Sequence, residues 1–252
     1  MARKHFKAGA LTAPLPPVMV TVGDMETANI ITIGWTGILS TIPPRTYISV
    51  RPERHSYKML KATGEFVINL TTAEQARTVD YVGIYTGAKV DKFKECGLTK
   101  VESKEVSAPT IKECPLALEC RVIEVIPMGT HDVFIADIVS VSTDESILDE
   151  TGKIRFDRAG LLAYAHGEYY ALGEKVGKFG FSTKKQGSPV KSKGTAEARK
   201  KSPALEKAKY LPVARKTEEK AAEAGESKNE KRPFYLDAPR GKGKPKGKGK
   251  RR

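Results

Sequence analysis

The chain has 252 residues, 44 Lys+Arg against 30 Asp+Glu, a formal net charge of +14 and 39% hydrophobic residues, enough apolar material to bury a core in one or two domains. No run approaches the roughly 18 apolar residues that a membrane helix needs. The basic start at residues 1–6 has no apolar stretch behind it to make a secretory leader, and Cys96, Cys114 and Cys120 lack the pairing and C-x-x-C spacing of a disulfide framework or metal site, so a cytoplasmic protein without a metal is expected.

Taken in chain order, the body reads mainly β. Residues 18–22 (Val-Met-Val-Thr-Val), 28–35 and 46–51 are short β-branched runs, separated by turn residues at Gly23-Asp24 and Pro43-Pro44. A helix is predicted over residues 56–62 with Ser56 as its N-cap. The spacing of Thr71 and Glu74 matches a capping box and announces a second helix that runs to about Val82. A third covers residues 91–96 and is closed by Gly97. Residues 116–126 and 132–143 form a longer strand pair joined across Pro127-Met128-Gly129-Thr130. In the first of these Leu116, Leu118, Cys120 and Val122 alternate with Glu119 and Arg121, which predicts one buried and one exposed face. Many strands with a few short helices, a mainly β chain of the α+β class, predict a small closed or partly closed barrel.

The charge is uneven along the chain. Residues 182–252 hold 23 Lys+Arg and 8 Asp+Glu, a net of +15, which leaves the body before them at −1. Leu, Ile, Val and Phe number six among those 71 residues, far below the roughly 20% under which charged chains stay disordered. The sequence therefore divides into a folded body, residues 1–181, and a disordered Lys-rich tail, residues 182–252, with transient helix over 196–226. The tail is either a polycation that docks non-specifically on nucleic acid or an anionic membrane through counterion release, or a solubilising extension. Its lysines have no interleaved aromatics of the kind single-strand binders stack on.

Two segments carry candidate chemistry. Arg51-Pro52-Glu53-Arg54-His55-Ser56 passes from a strand end to a helix start. It gathers free backbone N–H groups, the positive end of a helix dipole, a hydroxyl and two guanidiniums, the donor set a phosphate dianion requires. A turn with solvated arginines accounts for the same residues equally well. Upstream, Asn29, Thr32, Trp35 and Thr36 place an amide, hydroxyls and the single tryptophan on or just beyond an apolar strand. That combination suits a planar heteroaromatic ring, and Trp35 alone also suits an ordinary core. His55, His131 and His166 lack the close spacing of a metal site. Residues 173–180 have the wrong glycine spacing for a phosphate loop, and no G-x-G-x-x-G follows a strand.

Several blocks together resemble a known family. Residues 28–37 (Ala-Asn-Ile-Ile-Thr-Ile-Gly-Trp-Thr-Gly), Pro43-Pro44, residues 48–56, residues 64–70 (Gly-Glu-Phe-Val-Ile-Asn-Leu), residues 87–93 and residues 169–174 are similar, in order and spacing, to the flavin reductase-like family of FMN-binding split β-barrels, and most of all to its flavoredoxin-type members. The resemblance spans about residues 10–181 and excludes the tail. It implies a homodimer with FMN in a groove near the subunit interface. Asn29 and Trp35 would contact the flavin, and Ser56, Arg51, Arg54 and His55 the ribityl phosphate. Lys92 would meet a flavin or phosphate oxygen, with His131 and Tyr164 beside the cofactor. The blocks add Ser49, Val50, Asn69 and Lys89 to the cofactor-contacting set. Ser56 and Tyr164 stand where Thr and Phe are usual, and they keep a hydroxyl and an aromatic face.

The resulting expectation is an FMN-binding redox protein that moves electrons or hydride between flavin and either NAD(P)H or a redox protein partner. Two alternatives stay open: a non-catalytic FMN-binding protein tethered to nucleic acid by its tail, and an oxidase of the pyridoxamine-phosphate type. The second needs another anionic substrate site, for which the body offers no obvious Arg/Lys cluster.

Overall fold

The computed structural model describes residues 3–183; the remainder of the basic C-terminal segment, with the disorder and transient helix expected of it, lies outside them. Eleven strands and three α-helices occur among the described residues, with short 3-10 turns between them. In chain order they are β1 Val18–Val22, β2 Asn29–Ile33, β3 Thr36–Thr41, β4 Pro44–Val50, α1 His55–Thr63, β5 Glu65–Asn69, α2 Ala76–Ile84, α3 Lys92–Cys96, β6 Lys100–Val101, β7 Thr110–Ile111, β8 Leu116–Pro127, β9 Asp132–Thr143, β10 Leu162–Ala165 and β11 Glu168–Ala171. No helix among them is long and apolar enough to cross a membrane.

Seven strands form one antiparallel sheet in the order β2-β1-β5-β8-β9-β4-β3. Its two outermost strands, β2 and β3, are consecutive in the chain and joined only by Gly34 and Trp35. Two residues cannot span an open sheet of this width. The sheet therefore rolls until its edges lie side by side, and the seam between them remains a split. One backbone bond, Ser49 N–H to the Trp35 carbonyl at 3.0 Å, fastens the chain at that seam.

The interior of the roll is filled by Val18, Val20 and Val22, Ile31 and Ile33, Ile48 and Val50, Phe66 and Ile68, Cys120, Phe134 and Ala136, with Leu60 of α1 plugging one end. Phe66 and Phe134 are fully buried, and each such side chain stabilises the fold by about 1.5–3 kcal/mol relative to exposure. On the outer face of β1 and β2, Met19 and Ile30 pack with Val79 and Val82 of α2 and Phe93 of α3. Strand β1 is thus buried on both faces, which is why it reads as a nearly unbroken apolar run, with the buried Thr21 as its exception, rather than as an alternation.

The structure shifts several of the sequence-based boundaries. The run 28–35 ends as a strand at Ile33, because beyond Gly34 the chain changes partner from β1 to β4. Strand β3, absent from the reading of the sequence, follows, and the hairpin turn falls at Ile42-Pro43, with Pro44 opening β4. Helix α1 begins one residue early. Arg54 is its N-cap and makes no side-chain capping bond, while Ser56 lies in the first turn, 2% exposed. The capping box is Thr72 with Gln75, whose Oε1 accepts the Thr72 N–H at 2.9 Å; Thr71 instead donates its hydroxyl to the Pro17 carbonyl at 2.6 Å. Asp91 caps α3, accepting the N–H groups of Phe93 and Lys94, and Gly97 ends it at φ 62°. Glu119, expected on a solvent face, is 2% exposed. Its carboxylate accepts the backbone N–H groups of Lys104 and Glu105 at 3.2 and 2.6 Å, pinning the 102–108 loop over the strand, and buried hydrogen bonds of this kind offset the cost of desolvating the carboxylate.

Candidate functional site

A cleft of about 240 Å³ opens at the split of the barrel. Thr32 and Trp35 enter it from the end of β2 and the seam, Ser49, Val50 and Arg51 from the end of β4, and Arg54 from the start of α1. His131, from the β8–β9 turn, and Tyr164 and Tyr169, from β10 and β11, complete its walls. Trp35 is 40% exposed and its ring lies 4.6 Å from that of His131, centroid to centroid. The tryptophan is therefore a wall of the cleft and not a core residue. Tyr57 of α1 donates its hydroxyl to Asp132, which anchors the turn that carries His131.

A second cleft, of about 340 Å³, flanks the other side of the α1 N-terminus and is lined by Asn29, His55, Gly87, Lys89, Lys92 and Lys100, among others. Arg54 belongs to the first cleft and its neighbour His55 to the second, so one helix start serves both. Asn29 is 7% exposed and donates from Nδ2 to Ser56 Oγ at 2.7 Å, tying β2 to the first turn of α1. Gly87 closes on the same amide: a Cβ at that position would lie 2.1 Å from Asn29 Oδ1, so no larger residue fits without displacing it.

The electrostatics are cationic and only partly compensated. Arg51 Nε is buried without a hydrogen-bond partner, although Glu53 Oε1 lies 3.2 Å away, outside hydrogen-bond geometry. Lys92 is 4% exposed, and its ammonium donates to the carbonyls of Ile30 at 2.7 Å and Val82 at 2.8 Å with no carboxylate among its partners. Burial, and after it the charge of Arg54, lowers its pKa from 10.5 to about 8. Burial followed by the charge of Arg51 also holds the His131 imidazole below its ordinary value. The α1 N-terminus has no acidic residue in its first turn and no side-chain cap, which leaves the N–H groups at its start without side-chain acceptors. Arg51 and Arg54 in the first cleft, Lys92 in the second and the α1 start between them are the kinds of group that bind a phosphate-sized anion.

Three of the residues expected at the site line neither cleft: Ser56, buried in the first turn of α1 with its hydroxyl accepting from Asn29, and Thr36 and Asn69. Thr36 is in β3 and donates its hydroxyl to the Tyr47 carbonyl at 2.6 Å, outside both clefts. Asn69 is fully buried; its Nδ2 donates to the Met19 carbonyl at 3.1 Å and its Oδ1 accepts the Ile111 N–H at 2.9 Å, so its amide is consumed in joining β5 to β1 and β7. Conversely, Tyr169, Gly87 and Lys100 line the clefts without having been singled out as ligands. Tyr169 and Gly87 fall inside the family-like blocks, and only their packing distinguishes them from neighbours such as Tyr170. The Tyr169 hydroxyl donates to Asp80 at 3.2 Å, and burial together with that carboxylate raises its pKa.

A seven-stranded antiparallel barrel, split at a seam where a cationic helix start meets an exposed tryptophan, defines a split β-barrel with a ligand cleft at its seam. Residues 11–173 match the family model described as "Flavin reductase like domain", and the chain belongs to that family. It is similar to the flavoredoxin of Desulfovibrio vulgaris (Miyazaki F), at 33% identity and TM-score 0.68 over 73% of this chain and 100% of that one. It is also similar to an FMN-binding protein from Thermus thermophilus, at 26% identity and TM-score 0.59 over 70% and 99%. An uncharacterised protein of Archaeoglobus fulgidus is 34% identical over 143 residues, 57% of this chain and 80% of that protein.

Proposed function

We propose that this chain is an FMN-binding oxidoreductase that lodges the cofactor phosphate at the α1 N-terminus and the ring system against Trp35. The observation that carries the reading is the cationic lining around the α1 start, Arg51 and Arg54 in one cleft and the buried Lys92, with no carboxylate among its hydrogen-bond partners, in the other, in a chain similar in fold and sequence to a flavoredoxin. Bound FMN supplies hydride or single-electron transfer. The chain's own residues bind and orient it. Arg51 and Arg54 in the first cleft and His55, Lys89 and Lys92 in the second offer the anion contacts, Ser56 holds Asn29 at the second cleft, and Thr32 faces the ring edge. Thr32 is held by its bond to the Val79 carbonyl at 2.6 Å. Trp35, His131 and Tyr164 exclude water from the ring faces, and Ser49 and Val50 contribute the floor from β4. The reductant is NAD(P)H, stacking on the exposed ring face without a Rossmann domain, or a redox protein.

In this reading the protein works as a homodimer. Support comes from the outer face of β4 and β9, where Tyr47, Val133 and Ile135 remain half-exposed beside Ser49, and from Ile38 and Ile42 near the edge strand, 62% and 92% exposed. Exposed apolar side chains gathered on one face are what an interaction site requires.

The test is spectroscopic. Purified protein given FMN, freed of excess and scanned in the visible range is expected to retain a flavin spectrum in stoichiometric amount; a colourless product overturns the reading. Anaerobic mixing with NADH or NADPH then separates the two reductants: bleaching marks a flavin reductase, and its absence with both nucleotides leaves electron transfer from a protein.

A further inference from the structure

Helix α1 carries its charge on one side. Arg54, Lys58 and Lys61 stand at i, i+4 and i+7, within roughly 60° of one another around the axis, and opposite Ser56 and Leu60, the two buried residues of the helix. All three are exposed, and among the described residues none pairs with a carboxylate. The helix contains no acidic residue at all. Lys61, in the last turn and 5.9 Å from the Tyr57 ring centre, is locally favoured, but Arg54 and Lys58 are not: like charges at i, i+4 repel along a helix, and a cation at the N-terminus opposes the helix dipole.

The stripe also polarises the body. Residues 51–61 carry a net +3, so the remainder of residues 1–181 carries −4. Its upper end is Arg54, which lines the cleft that exposes Trp35. We propose that this face of α1 docks an acidic redox protein, whose carboxylate-rich patch meets Lys58 and Lys61, next along the stripe from the cleft-lining Arg54, and so brings its redox centre to the mouth of the cleft. The proposal rests on the redox reading above and names the partner's chemistry. A second copy of this chain would bring the same cations to the interface and be repelled. Electron-transfer encounters bury little surface and are guided by opposed charge patches more than by apolar contact, which suits a stripe of long, solvated side chains without an apolar centre.

The experiment uses the full chain reconstituted with FMN and an acidic [2Fe–2S] ferredoxin as probe, two reduced ferredoxins each giving one electron per flavin. Lys58→Ala/Lys61→Ala is compared with Lys112→Ala/Lys153→Ala, an exposed pair that changes net charge equally away from α1. FMN retention is measured first: failure of all proteins to hold flavin overturns the function proposed above, whereas normal retention isolates the docking question. At low salt the second-order rate of flavin reduction is expected to fall about tenfold in the Lys58/Lys61 variant, with a flatter salt dependence and little change in the Lys112/Lys153 control. Equal rates in the wild-type and Lys58/Lys61 proteins, or an equal loss in both variants, overturn docking at α1. So does a loss confined to reduction by NADPH, which would make the stripe a nucleotide-binding surface.

Discussion

Asn29 reaches from β2 to the first turn of α1 and donates from Nδ2 to Ser56 Oγ at 2.7 Å, in a site where both residues are buried. The bond couples the strand that leads into the seam to the helix whose N-terminus faces the clefts. Ser56→Ala strands the Asn29 donor away from water, and we expect a loss of about 1–3 kcal/mol in unfolding free energy, read by urea denaturation. Ser56→Thr keeps the hydroxyl and is expected to restore most of it.

Gly87 is the other constraint on that amide. With Asn29 Oδ1 2.1 Å from where a Cβ would stand, Gly87→Ala must displace either Asn29 or the loop before α3. We expect FMN affinity to fall by at least tenfold in a titration followed by flavin fluorescence, together with a loss of about 1–3 kcal/mol in stability from overpacking.

Arg51 yields a prediction of opposite signs. Its Nε is buried and makes no hydrogen bond, and its one ion pair is with the exposed Glu53, a kind worth little, so Arg51→Met is expected to leave the stability of the FMN-free protein unchanged or higher. The same change, like Arg54→Ala, is expected to weaken FMN binding by about 1.5–3 kcal/mol, the range for losing a hydrogen bond to a charged group. Denaturation without FMN and FMN titration, run side by side, separate a ligand-directed arginine from a structural one, which would lose stability in the first measurement.

Lys92 sets a pH dependence. Its folded-state pKa, about 8, lies below the ordinary 10.5, so between these values the unfolded chain binds more protons than the folded one. Stability of the FMN-free protein therefore carries a penalty that is fully present below pH 8 and is relieved as pH rises toward 10.5; a neutral amine still donates to the Ile30 and Val82 carbonyls. A phosphate nearby reverses the preference. FMN binding is expected to take up a proton and to weaken as pH rises above 8, a trend that Lys92→Met should flatten in titrations from pH 7 to 10.

Trp35 stands half in solvent against His131. Trp35→Ala is expected to change the visible absorption of bound flavin and its retention, while shifting the unfolding midpoint of the FMN-free protein little. Trp35→Phe should preserve much of the retention. An unaltered flavin spectrum in Trp35→Ala would separate the tryptophan from the ring.

Much of this is legible in the sequence alone. The β-branched runs, the long hairpin, the Gly97 stop and the Arg51–Ser56 segment are local signals, because alternation, turn residues and helix-end chemistry act over a few positions. The misreadings share a different cause. Ser56 looked like a cap because hydroxyls favour that position, yet its hydroxyl was claimed by Asn29, 27 residues away. Glu119 looked exposed because it alternates with apolar neighbours, yet two backbone N–H groups from residues 104 and 105 buried it. Asn69 looked like a ligand and is spent on β1 and β7.

By itself, then, the sequence determined the three helices and five of the eleven strands, the neutral body with its basic tail, and the family to which the blocks belong, since each is a property of composition or short spacing. Only the tertiary structure decided that β2 and β3, neighbours in the chain, are opposite edges of one rolled sheet. That closure opens a cleft where Trp35, Arg51, Arg54 and His131 meet. It depends on pairings between strands up to about a hundred residues apart, and pairings at that distance leave no periodicity in the sequence for local reasoning to read.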